Sequence, residues 1–458
     1  MKFSMQHHSL RQSFKNTFLS PADKALWTLA LPMIFSNITV PLLGLVDTAV
    51  IGHLDSADYL GGVAVGSMVT TFLFMMLLFL RMSTTGMTAQ ALGAQDNQLL
   101  ARAFVQPFLL AILAGVFILL FRHPLIALAF HIVGGSQPVL EQAKLFIDIR
   151  WYSAPASLAN LVILGWLLGI QYIRGPVILL IAGNLLNIIL DIWLVMGLGL
   201  NVRGAAMATA SAEYFTLFIG LYFVWRVMKR RGITRAEITS AWRGNLRRLL
   251  GLNRDIMLRS LLLQLCFASL TVLGARLGSH IVAVNAVLMN LLTFTAFALD
   301  GFAYAIEAHS GEAFGARNRE KLLNVWHAAC RQAGLVALAF ALMYALAGET
   351  IINALTSLPQ LRELADHYLG WQIVLPLVAV WCYLLDGMFI GATRGRDMRN
   401  SMLVAALGYG LTLLTLPVLG NHALWLALTV FLGLRGLSLG WIWRRYWQRD
   451  TWFSSPGH

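Results

Sequence analysis

The sequence predicts an all-α polytopic membrane protein: about twelve transmembrane helices arranged as two six-helix parallel repeats. Three observations carry that reading. The chain of 458 residues is 58% hydrophobic and only 12% charged, with mean hydropathy +0.70, whereas a soluble domain carries about 25% charged residues. Apolar runs of about 20 residues, enough to cross a bilayer as helix, recur from end to end. The second half also repeats the first. AQALGAQDNQLL at Ala89 to Leu100 is similar to GEAFGARNREKLL at Gly311 to Leu323, a shift of 222 positions between Gly93 and Gly315 (315 − 93 = 222). The same shift carries Gly165 to Gly387, Gly169 to Gly391 and Arg174 to Arg396, and Pro155 falls one short of it at Pro376.

Residues 1–24 contain Lys2, Arg11 and Lys15 but no apolar core or small-residue cleavage site, so they read as a cytoplasmic tail and not a signal peptide. Ser20, Pro21 and Asp23 then start a helix: a cap, a proline at the first helical position and early negative charge. Apolar runs place spans near 25–51, 60–82, 101–121, 146–172, 175–197 and 203–228, forming a first lobe over 25–228. A second lobe over 255–446 has spans near 255–276, 280–306, 323–347, 366–392, 400–420 and 422–446. Residues 229–254 are a basic linker, and 447–458 a second cytoplasmic tail. Because each repeat has an even number of spans, both insert with the same orientation.

The longest loop, Arg226 to Arg259, carries Lys229, Arg230, Arg231, Arg235, Arg243, Arg247, Arg248 and Arg254 against Glu237 and Asp255, which puts it in the cytoplasm. Counting spans outward from it puts both termini inside, as expected of a multi-pass protein of the cell inner membrane. Positive-inside topology also accounts for the net charge of +13, so no nucleic-acid partner is expected; the bilayer itself is the partner. Cys266, Cys330 and Cys382 lack any CxxC or Cys/His spacing and read as reduced thiols, with no metal centre and no cofactor beyond a coupling ion. HExxH, GxSxG and GxxxxGK[ST] are all missing, so a membrane-embedded enzyme or a P-loop ATPase loses support.

Function must then come from the polar groups inside the spans. In GNLLNIILD, Asn184, Asn187 and Asp191 are spaced i, i+3, i+7 and share one helix face. An ionised carboxylate at such depth costs roughly 2.5–3.5 kcal/mol, so Asp191 should face a bundle interior or wet cavity. The other reading is a structural polar cluster that locks helices together. Asp47 lies in the first span, whose Pro32 and Pro41 each remove an intrahelical hydrogen bond and favour a bend. Should Asp47 and Asp191 meet, two carboxylates at low dielectric cannot both stay ionised cheaply. They would exchange a proton, or hold Na⁺ with oxygens from Asn187 and Thr209. Weaker candidates are Asn184, Glu213, Asp300, Glu307 and Asp386; a second site near Asp386 and plain helix packing both remain open there. His309 reads as an interfacial histidine.

With these residues assembled, the chain resembles the multidrug and toxic compound extrusion (MATE) family, and within it the DinF branch of DNA-damage-inducible membrane proteins. The resemblance runs from about Ala25 to Arg445, through LALPMIFSNITVPLLGLVDTAVIGHL, GNLLNIILD followed by GAAMATASAE, and GATRGRD. It implies the MATE/MOP-type fold of two six-helix lobes and secondary antiport that exports organic, often cationic or amphipathic, compounds against H⁺ or Na⁺, expected of a monomer. Carried over by residue, the DinF-type cation site maps onto Asp47, Asn187, Asp191 and Thr209, and the first-helix bend onto Pro32. Asp386 matches an acid of the NorM-type branch, but MLRSLLLQLCFASLTVLGA lacks the glutamate that accompanies it there. A lipid-linked precursor flippase shares the superfold and would need intramembrane bases, of which Arg81, near a helix end, stands out.

Overall fold

The computed structural model describes residues 20–37, 39–54, 57–244 and 246–454, with the backbone alone described at 41, 42, 44, 45 and 48. The cytoplasmic-tail expectation for residues 1–19 and the side chain of Pro41 therefore lie outside the described residues. Those residues are helical with short connections, which bears out the all-α expectation. The helices are α1 Pro21–Asn37, α2 Thr39–Gly52, α3 Ala57–Met76, α4 Phe79–Gly93, α5 Asn97–Leu120, α6 Arg122–Val133, α7 Gln137–Arg150, α8 Ala154–Gly169 and α9 Arg174–Asp191. There follow α10 Asn201–Arg230, α11 Arg235–Ser240, α12 Leu246–Leu277, α13 Ser279–Gly315, α14 Arg319–Leu355, α15 Pro359–Gly391, α16 Gly395–Leu413, α17 Leu416–Leu419 and α18 Asn421–Gln448.

Among the described residues ten helical stretches are long and apolar enough to cross a membrane, and they coincide with the expected second to tenth and twelfth spans. The expected first span is divided into α1 and α2, of 17 and 14 residues. The expected eleventh is α16, whose first turns carry Arg396, Asp397 and Arg399. The second and eighth spans outrun their expected ends at 82 and 306, reaching Gly93 and Gly315. Apolarity stops there but burial does not: Ser83, Thr84, Thr85 and Thr88 pack inside in one case, Glu307 and Ser310 in the other.

The chain divides into two compact units: Phe35–Asn253, and the chain up to Ile34 together with Arg254–His458. The 222-residue repeat seen in sequence has the same local geometry in each. In the first unit α4 closes on Gln95 at φ 53°, with the Asp96 amide bonded back to Ala91 at 3.3 Å. Asp96 then caps α5 by accepting from the amides of Gln98 and Leu99. In the second unit α13 closes on Arg317 at φ 51°, the Asn318 amide returns to Ala313 at 3.0 Å, and Asn318 caps α14. Both are left-handed closures of the Schellman type followed at once by a new cap, so two helices join through a minimal turn.

The glycine pairs repeat too. A Cβ on Gly165 or Gly169 of α8 would come within 2.5 or 2.7 Å of the Arg81 or Thr85 carbonyl oxygen of α4. On Gly387 or Gly391 of α15 it would come within 3.1 or 3.0 Å of the Ala303 or Glu307 carbonyl of α13. Each unit thus uses small residues four apart to bring two backbones together, the way apolar helices pack without a hydrophobic drive between them.

Residues Ala25 to Ile34, expected in the first lobe, pack with the second unit. Trp27 donates its indole N–H to Gln332 Oε1 at 2.9 Å and meets the Phe302 ring edge-on at 4.9 Å. Below it, Asp23 is wholly buried and accepts from Ser20 at 2.6 Å, Arg331 at 3.0 Å and Gln332 at 3.2 Å. Burial disfavours its charge, yet those donors prevail and hold its carboxyl below the usual carboxylate value.

In the basic linker, α11 starts with a reciprocal cap between Thr234 and Glu237. Thr451, Trp452 and Ser454 are docked: Trp452 is buried, and the Arg394 guanidinium donates to their carbonyls at 3.1, 2.6 and 3.1 Å.

Candidate functional site

The candidate site lies within the first unit, where α2, α9 and α10 pack together. Asp191 is the last residue of α9 and the helix does not simply stop there. Ile192–Gly197 continue as one π turn, a wider coil that is rare in helices and often found at functional positions. Asp191 is wholly buried and Asn187, one turn earlier, nearly so. The Asp47 carboxyl of α2 lies within hydrogen-bonding reach of Asp191. From α10, Thr209 exchanges long bonds of 3.4 Å with the Asn187 amide and donates to the Ala205 carbonyl at 3.2 Å. The four expected residues are thereby brought together.

The electrostatics of this cluster set it apart. Neither side-chain oxygen of Asp191 meets a donor, and no Lys, Arg or His among the described residues pairs with Asp47 or Asp191. Two carboxyl groups that face each other with no donor between them can form a hydrogen bond only when one carries a proton. With the Asn187 and Thr209 oxygens alongside, the cluster offers an oxygen-rich, acid-only seat for a small cation.

The weaker candidates are placed differently. Asn184 donates to Thr39 Oγ1 of α2 at 2.6 Å and so ties α9 to α2. Glu213 accepts from Asn160 at 2.9 Å and faces Arg150 at 3.6 Å. Asp386 receives Arg259 at 2.6 Å and Arg435 at 2.5 Å, both on the same oxygen. Of the two readings left open there, this arrangement fits helix packing, because two guanidiniums already occupy the acid. Asp300 is half-buried on α13, close to Tyr383 and Cys382, and Glu307 is buried further along the same helix. Pro32 lies within α1, three positions before the chain passes into the first unit.

Sequence reasoning missed three buried bases and a π turn. Arg150, Arg259 and Arg435 are buried bases inside long helices, besides Arg81. In sequence Arg150 and Arg259 fall near span starts and Arg435 stands alone within the twelfth span, and nothing local marks any of them as the partner of an acid. The π turn after Asp191 left one trace, the run of large side chains in IWLVMG before two glycine-containing steps.

Comparison with known proteins gives the family and the fold. A MatE family model matches the chain twice, over residues 32–193 and 256–418. DNA damage-inducible protein F of Escherichia coli (strain K12) is 72% identical over 438 residues, covering 96% of this chain and 95% of that protein. A probable multidrug resistance protein NorM of Deinococcus radiodurans is 27% identical over 91% of this chain and 94% of its own length. Among solved structures, MATE in complex with MaL6 superposes with a TM-score of 0.84 at 21% identity, covering 95% of this chain and 98% of that one. MATE in the bent conformation gives 0.83 over 96% and 99%. Two family-sized matches, a relative of this identity along nearly the whole length and the shared helical fold lead to one conclusion: the chain belongs to the MatE family and is a polytopic membrane transporter of its DinF branch.

Proposed function

We propose that this protein is a secondary antiporter that exports organic, cationic or amphipathic compounds across the inner membrane in exchange for H⁺, by alternating access. One observation carries the proposal: Asp47 and Asp191 face each other without a base, whereas Glu213 and Asp386 have arginine partners. An acid pair that cannot stay doubly ionised takes up a proton when exposed to the acidic side and gives it back to the cytoplasm. The proton neutralises the cluster, lowers affinity for a cationic cargo in the outward-open state, and so makes the two states differ in what they bind. That difference in affinity, and not motion alone, drives exchange. The similarity to a probable multidrug resistance protein NorM supports the cargo class.

The test uses purified protein in vesicles loaded with a fluorescent organic cation under an imposed pH gradient. Asp47→Asn and Asp191→Asn should each abolish gradient-driven transport while the protein still inserts; wild-type rates from both would refute the site.

The long Asn187–Thr209 bonds favour a second reading, Na⁺ in place of H⁺, since weakly engaged oxygens can become ligands. Transport that follows a Na⁺ gradient at constant pH would establish it. The flippase reading loses ground, because Arg259 and Arg435 are both committed to Asp386.

A further inference from the structure

We infer that the exposed face at the end of α18 is a binding site for an anionic phospholipid, with the headgroup phosphate on Arg444, Arg445 and Arg449 and an acyl chain along Leu437. Those three arginines, with Trp441 and Gln448, line one open groove. Their spacing puts Leu437, Trp441, Arg444 and Arg445, then Gln448 and Arg449, on one helix face in that order. The order matches the cross-section of a lipid leaflet. Leu437 is 72% exposed in a helix that crosses the bilayer, so it is a hydrocarbon-facing side chain. Trp441, 62% exposed one turn later, has the place an indole takes at the headgroup boundary. The guanidiniums follow one turn beyond, at phosphate depth, with the Gln448 amide as a further donor.

Charge supports the same occupant. Arg319, close by on α14, is satisfied within the protein by Asp450 at 3.1 Å and by the Trp447 ring. No acid among the described residues pairs with Arg444, Arg445 or Arg449, and Arg445 lies over the Trp441 ring at 5.3 Å. Three uncompensated forks converging on one groove suit the bidentate geometry of a phosphodiester. A soluble anion would satisfy the arginines but leave Leu437 and Trp441 without a role.

The test is native mass spectrometry of the full-length protein in neutral detergent, offered phosphatidylglycerol and phosphatidylcholine in equal amounts. Phosphatidylglycerol adducts should predominate. Each of Arg444→Gln, Arg445→Gln and Arg449→Gln should cut that preference about five-fold, the attraction of one basic residue to an anionic surface, and Arg319→Gln should leave it unchanged. Equal binding of the two lipids, an undiminished preference in all three single variants, or displacement of phosphatidylglycerol by millimolar inorganic phosphate would overturn the assignment to a lipid.

Discussion

Asp191 and Asp386 are both buried carboxylates within helices, and the same substitution should act on them in opposite ways. Asp191 has no basic partner to lose, and an amide in its place can still bond the Asp47 carboxyl, so Asp191→Asn should leave thermal stability in detergent unchanged or slightly raised while transport disappears. Asp386 neutralises two buried guanidiniums, and Asp386→Asn leaves them uncompensated at a cost of about 3–5 kcal/mol. Its melting midpoint should therefore fall sharply, and that contrast in two thermal scans checks the division between exchange site and structural ion pair. Asp23 offers a pH test. Its carboxyl is held below the ordinary value in the folded protein, so the stability it contributes is present above the unfolded-state value and is lost only as pH falls through the lowered folded one. The gap in melting midpoint between wild type and Asp23→Asn should be full at neutral pH and shrink in strong acid, as pH-dependent thermal scans would show. Sequence set Asp191 apart by its polar helix face and Asp23 by its place at a helix start, but it did not show which of the three acids has an arginine partner.

At the scale of helices, the glycine pairs of α8 and α15 decide how closely each unit packs. Gly169→Val and Gly391→Val place a branched side chain against carbonyl oxygens 2.7 and 3.0 Å from the new Cβ, inside van der Waals contact. Overpacking of this kind costs roughly 1–3 kcal/mol, so both variants should melt lower. Gly334→Ala and Gly370→Ala, in helix interiors with nothing near a new Cβ, should be neutral or stabilising by up to about 1 kcal/mol. The pairing of Gly165 with Gly387 and of Gly169 with Gly391 was visible as a 222-residue repeat, but the partner backbones were not. A helix start was legible where capping chemistry marks it, as Ser20, Pro21 and Asp23 do for α1. Helix ends were misjudged at Gly93 and Gly315, where small polar residues extend a helix that apolarity alone would stop.

At the scale of the whole molecule, the twelve-span count and basic linker predict both termini on the cytoplasmic side. In a background lacking the native cysteines, Ser357→Cys, exposed between α14 and α15, should react with a membrane-impermeant maleimide in intact cells. Arg231→Cys, exposed at the end of α10, should react only after permeabilisation; the reverse pattern would invert the topology. The sequence by itself determined the spans, the expected orientation, the duplication and the shortlist of acids, because lipid demands long apolar runs and makes every intramembrane charge conspicuous. Only the tertiary structure decided which acids keep a base. Arg259 and Arg435 reach Asp386 across 127 and 49 positions of chain, and Asp47 meets Asp191 from a different helix. Pairing at such separations is a property of how helices pack, and no local spacing records it.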